Sequence, residues 1–196
     1  MSIEFLPADL RESYEVHEWK HACAILKNDF PSEWRDIIEA LKGFKLNQSS
    51  ITEKGGGLSP ISRQFNEAFG SRGWIEKGFD TSVVVDQNEM KSPTHKIDCY
   101  KNRIALEIEW NNKDPFFDRD LNNFRLLFEL RAISVGIIVT RCDELQDIFN
   151  ELGKGASYGA ATTHLSKLLP RIEGGGGGGC PILVFGITKK LYLPGE

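Results

Sequence analysis

The sequence predicts an α/β fold: a sandwich with a mixed central β-sheet and helices on both faces. Three observations predict it. Apolar residues recur at helical spacing in several segments, and a mid-chain stretch alternates as a hairpin does. Two later runs, ISVGIIVTR (133–141) and CPILVFGI (180–187), are apolar without interruption, as strands covered on both faces are. An antiparallel hairpin followed by buried strands and intervening helices makes the sheet mixed. With 196 residues, the chain reads as one domain, 1–196.

The elements follow in order. SYEVHEWKHACAILKND predicts a short strand around Tyr14–His17 and then a short helix. PSEWRDIIEALKGFKL predicts a helix from Pro31 to Gly43, capped by Ser32 or Asp29, with Trp34, Ile37, Ile38 and Leu41 on one face. LNQSSITEKGGGLSP has no period and many turn residues, and reads as a mobile loop. SPISRQFNEAFGSRG is a second helix, with Ile61, Phe65, Ala68 and Phe69 together. The period then changes to two: Phe79–Asp86 is a β-rich run, residues 87–93 a polar turn, and HKIDCYKNRIALEIEW a hairpin.

Helical spacing returns in DPFFDRDLNNFRLLFELRA through Phe117, Leu121, Phe124, Leu127 and Phe128. ELQDIFNELG predicts a short helix, and ASYGAATTHLSKLLPRI a helix from about Ala160. Six glycines (174–179) precede the last strand and read as a flexible connector.

Composition excludes several classes. No apolar run approaches a membrane span and the first residues lack a signal-peptide pattern, so the expected location is cytoplasmic. The four cysteines lie far apart with no C-x-x-C, which predicts buried free thiols and no zinc centre. His17 and His21 lack the pattern of a zincin, the other histidines have no ligand spacing, and no phosphate-binding loop is present. The net charge of −4 and pI near 5.7 do not exclude a nucleic-acid partner, because duplex binding needs only a local basic surface.

The chemistry concentrates in His95–Trp110. With a two-residue turn at Lys101-Asn102, Asp98 opposes Ala105 and lies diagonal to Glu107, and alternation adds Glu109 to the same face. Ile104, Leu106, Ile108 and Trp110 form the other face and pin the register, since a one-residue slip would bury the carboxylates. Three carboxylates converging on one face repel one another unless a cation sits among them, and all-oxygen ligation suits Mg²⁺. A solvated strand face is the competing reading of the same spacing.

The continuation IDCYKNRIALEIEWNNKDPFFDRDLNNF resembles the catalytic core of the BglII/BstYI group of restriction endonucleases, in the PD-(D/E)XK superfamily. FNEAF (65–69), GW (73–74), VGIIV (135–139), Ser157-Tyr158 and PILVFGI (181–187) occur in matching order, so the resemblance covers about residues 60–188. It implies a restriction-endonuclease-like sandwich and a Mg²⁺-dependent type II endonuclease. Such an enzyme cuts double-stranded DNA at a short palindrome as a homodimer, and the apolar helix 116–132 would be one dimer surface.

The resemblance implies Asp98, Glu107 and Glu109 as catalytic residues, with Asp98 and Glu107 as metal ligands. An upstream acid in such nucleases adds Glu67 to the metal set, against a solvated helix glutamate. Glutamate at position 109 departs from the lysine of most of the superfamily and the glutamine of BglII and BstYI; it is similar to BamHI. Whether Glu109 is a base or a ligand stays open. Lys113, Ser157 and Tyr158 are implied as DNA-binding residues, against an exposed turn lysine and, for Ser157, a helix cap. Two rivals remain: a repair or recombination nuclease without sequence specificity, and a non-catalytic DNA-binding module on the same fold.

Overall fold

The computed structural model describes residues 2–53, 57–91 and 94–195. In chain order, helix α1 (Ala8–Ser13) leads into strand β1 (Tyr14–Trp19), followed by α2 (Ala22–Asp29) and α3 (Pro31–Gly43). A short strand β2 (Leu46–Asn47) and helix α4 (Gln48–Thr52) come next, then α5 (Pro60–Gly70) and β3 (Ile75–Lys77). Two hairpins follow: β4 (Ser82–Val85) with β5 (Asn88–Lys91), and β6 (Ile97–Lys101) with β7 (Ile104–Glu109). The rest is α6 (Pro115–Glu129), β8 (Val135–Arg141), α7 (Leu145–Glu151), α8 (Leu165–Glu173), β9 (Ile182–Ile187) and β10 (Tyr192–Leu193). No helix among the described residues is long and apolar enough to cross a membrane.

The main sheet has the order β1-β9-β8-β7-β6-β3. Strands β7, β8 and β9 are parallel, while β1, β6 and β3 join antiparallel, so the sheet is mixed as expected. Every residue of β7, β8 and β9 is buried, which is why those strands are apolar over most of their length. Alternation divides their side chains between two cores. Ile104, Leu106, Ile108, Ile137, Val139 and Phe185 pack with α3, α5 and α7; Ala105, Ile138 and Val184 pack with α6 and α8. Gly136 lets α6 close onto β8, since a Cβ there would run into the Phe124 ring.

Several expectations are corrected. The cap of α3 is Phe30, without a side-chain hydrogen bond, and neither Ser32 nor Asp29 fills that role. Part of the expected mobile loop is ordered as β2, which pairs with β10, and as α4; residues 54–56 lie outside the described residues. The polar segment after Asp86 contains β5, and its residues 92–93 are likewise outside them.

The helix expected from about Ala160 starts at Leu165. Arg141 holds back the preceding segment by donating from Nη2 to the Tyr158 carbonyl (2.9 Å) and the Thr162 hydroxyl (2.8 Å). The hexaglycine is a packed set of hydrogen-bonded turns, with Gly176 N–H donating to the Arg171 carbonyl at 2.9 Å. Gly178, at φ +56, lies against Arg125 where a side chain would collide. The apolar stripe of α6 is covered by the sheet and α8, so it is not a free surface for a second chain.

Candidate active site

The site is built on the β6–β7 hairpin. Its turn is Asn102-Arg103, both at positive φ (44° and 69°), as a two-residue hairpin turn of the primed type requires. Lys101 belongs to β6 instead, where its ammonium reaches Asp36 and the Arg72 carbonyl, each at 2.8 Å. The pairs Cys99–Leu106, Tyr100–Ala105 and Lys101–Ile104 follow, and one further step sets Asp98 level with Glu107 rather than diagonal to it. The same-face expectation survives this shift because the register moves by two residues. Asp98 N–H donates to Glu107 Oε2 (3.2 Å), and Ile108 N–H donates to Asp98 Oδ2 (2.9 Å).

The carboxylate face is not solvated. Glu107 and Glu109 are 1% and 2% exposed, because α6 lies over them. That helix contributes Asp120, fully buried, and Asn123, whose amide donates to the His95 carbonyl at 3.1 Å. Arg119 donates from Nε and Nη2 to Asp120 Oδ1 (3.0 and 2.9 Å) and from Nη2 to Glu109 Oε1 (3.3 Å). Asn112 donates to the other Glu109 oxygen at 2.8 Å. The Arg119 guanidinium therefore bridges Glu109 and Asp120, two members of a cluster of four acids that Asp98 and Glu107 complete.

Burial, followed by the charges of Asp120 and Asp98, drives the Glu107 carboxyl well above its ordinary range. Burial and then Asp120 push Glu109 up to about 9, while burial opposed by Arg119 leaves Asp120 raised to about 6. Asp98 is also raised by burial, with the Ile108 N–H pulling the other way. Burial and the Arg119 charge lower the His95 imidazole. Two buried oxygens, Glu107 Oε1 and Asp120 Oδ2, accept no hydrogen bond. An excess of buried anionic oxygens with unfilled acceptors fits a hard divalent cation.

The other expected site residues are more dispersed. Glu67 is exposed on α5, and its side chain forms no hydrogen bond or ion pair among the described residues. Its neighbour Asn66 accepts from Cys99 Sγ of the hairpin at 3.6 Å. Lys113 is exposed in the β7–α6 connection, which pairs with Thr162. Ser157 is exposed and is no helix cap; its carbonyl accepts from Asn111 at 3.1 Å. Tyr158 is buried, stacked on Phe149 with centroids 4.0 Å apart, and its hydroxyl accepts from Trp110 Nε1 at 3.3 Å.

A cleft beside the hairpin is lined by Asp98, Asn111, Asn112, Tyr158 and, across from them, Ser62 and Arg63 of α5. Sequence reasoning passed over Asp120, Arg119 and Asn112. A signal for Asp120 was present: three residues after Phe117 and four before Phe124, it falls within the apolar stripe of α6. All four cysteines are buried free thiols, as expected.

A search of curated proteins finds no match to this chain. The family model for restriction endonuclease BglII/BglIII matches residues 14–187, from the first residue of β1 to the last of β9, and so includes the whole main sheet and its buried acids. By this match over most of its length, the chain belongs to the BglII/BglIII restriction endonuclease family.

Proposed function

We propose that the protein is a type II restriction endonuclease that hydrolyses phosphodiester bonds of duplex DNA at a short palindromic site in the cytoplasm. The observation that carries this reading is the level pairing of Asp98 with Glu107, beside a buried Glu107 oxygen that has no partner. Asp98 and Glu107 would hold Mg²⁺, which when bound polarises a phosphate and lowers the pKa of a water. Asp98 is the acid of the set that opens to the cleft, so DNA is expected to enter there.

Glu109 stands third in the row, and its raised pKa suits a group that exchanges a proton over one that keeps a permanent charge. Arg119 and Asn112 hold both its oxygens and fix its orientation. Lys113, exposed where β7 leads into α6, would meet a phosphate. A palindromic target matches a twofold protein, so the working assembly is a homodimer with one centre per strand.

Digestion of a sequenced phage DNA with Mg²⁺ tests the proposal. Discrete fragments that share end sequences are expected, and EDTA should prevent them. A continuous smear would instead indicate a nuclease without sequence specificity, and uncut DNA a binding module.

A further inference from the structure

We propose that His95, Glu107 and Asp120 form a second cation site, which takes a first-row transition dication, from Mn²⁺ through the later members of the row, in preference to Mg²⁺. The ligand atoms of these three residues lie within 4.8 Å of one another. Glu107 and Asp120, 1% and 0% exposed, each carry one buried oxygen without a hydrogen-bond partner. Arg119 already occupies Asp120 Oδ1 through two bonds, so Oδ2 is the atom left for another cation. Helix α6 supplies both halves of the arrangement: Asp120 directly, and the position of His95 through the bond from Asn123 to its carbonyl.

The donor set decides the metal class. Mg²⁺ favours oxygen ligands and retained waters, whereas an imidazole nitrogen beside two carboxylates suits the middle and later first-row dications. The inference rests on the reading above in that both ion sites share Glu107. The rival occupant is a proton: Glu109, when protonated, can donate to Asp120 and cover part of the acceptor excess.

The test is pulsed EPR of MnCl₂ added to the full-length, DNA-free protein, in the presence of excess MgCl₂. The wild type should show bound Mn²⁺ with nitrogen modulation from one imidazole. Loss of the outer partner of a metal ligand alone costs about 10–100-fold in affinity, so Asp120→Asn should weaken Mn²⁺ binding at least about tenfold. His95→Gln, at a half-buried position, should fold and lose the nitrogen signal. Asp98→Asn should keep it.

Mn²⁺ bound without nitrogen modulation, modulation that persists in His95→Gln, or no bound Mn²⁺ would each overturn the site. Cleavage assays separate this from the function proposed above. Sequence-specific cutting without nitrogen modulation defeats only the second site, and modulation without cutting defeats only the endonuclease.

Discussion

The two hairpins of this molecule invert the usual relation between polarity and burial. In β4–β5, Val83, Val84, Val85 and Met90 face solvent, with Val84 64% exposed, whereas β7 buries Glu107 and Glu109 almost completely. Hydrophobicity would assign the opposite places. The acidic hairpin is covered because its second strand lies inside the parallel β7-β8-β9 layer and α6 closes over it, and apolar side chains on its other face offset the cost of that position. Among the described residues, the apolar hairpin pairs only with itself and joins no other sheet. Burial of charge against this gradient marks the hairpin where chemistry outweighs stability.

Substitutions in the buried hairpin should separate function from stability. Glu107→Gln is expected to reduce DNA cleavage to background while raising the Tm of the metal-free protein, because it removes a buried acid without changing its shape. Thermal melts in EDTA beside a cleavage assay check both halves, and a variant that cuts like the parent would break the comparison. Glu109→Gln should slow single-turnover cleavage by about 10²–10⁴-fold, the range for loss of a general base. An unchanged rate would leave Glu109 a structural anchor for Arg119 and Asn112.

A smaller effect concerns pH. Glu109 has an ordinary pKa of 4.5 and is pushed up to about 9, so the folded state keeps a proton that the unfolded chain releases. Its contribution to stability is therefore greatest below about pH 4.5 and is lost as pH rises towards about 9. Denaturant melts in EDTA should show that Glu109→Gln flattens this slope over the same window; parallel curves would contradict the assignment. The smallest effect belongs to the exposed hairpin. Val84→Thr should shift stability by less than about 0.5 kcal/mol in denaturant melts, as surface changes do.

The sequence revealed the layered fold because period and length suffice for strands such as 135–141 and helices such as α3. It also brought Asp98, Glu107 and Glu109 to one face, since alternation survives a register error of two residues. The turn itself was missed because Lys101 has a tertiary partner, Asp36, that no local pattern reveals. Asp120 was missed for a related reason: a carboxylate inside an apolar helical stripe reads as an exception until the strand beneath it is known to be acidic. The glycine tract misled in the opposite sense, because composition suggests freedom while Arg125, Ile182 and Leu121 pack closely against it. What escaped the sequence in each case was a contact between distant segments.

The central claim, that the buried acids form a metal-dependent catalytic centre, is tested most directly at Asp98, the member that lines the cleft. Wild type and Asp98→Asn should be compared on one cognate duplex, with cleavage followed across a Mg²⁺ series and binding measured in EDTA. The account predicts Mg²⁺-dependent cutting by the wild type, and none by Asp98→Asn, which still binds the duplex at least as tightly. Cleavage by Asp98→Asn at the wild-type rate, or wild-type cleavage that persists in EDTA, would contradict it.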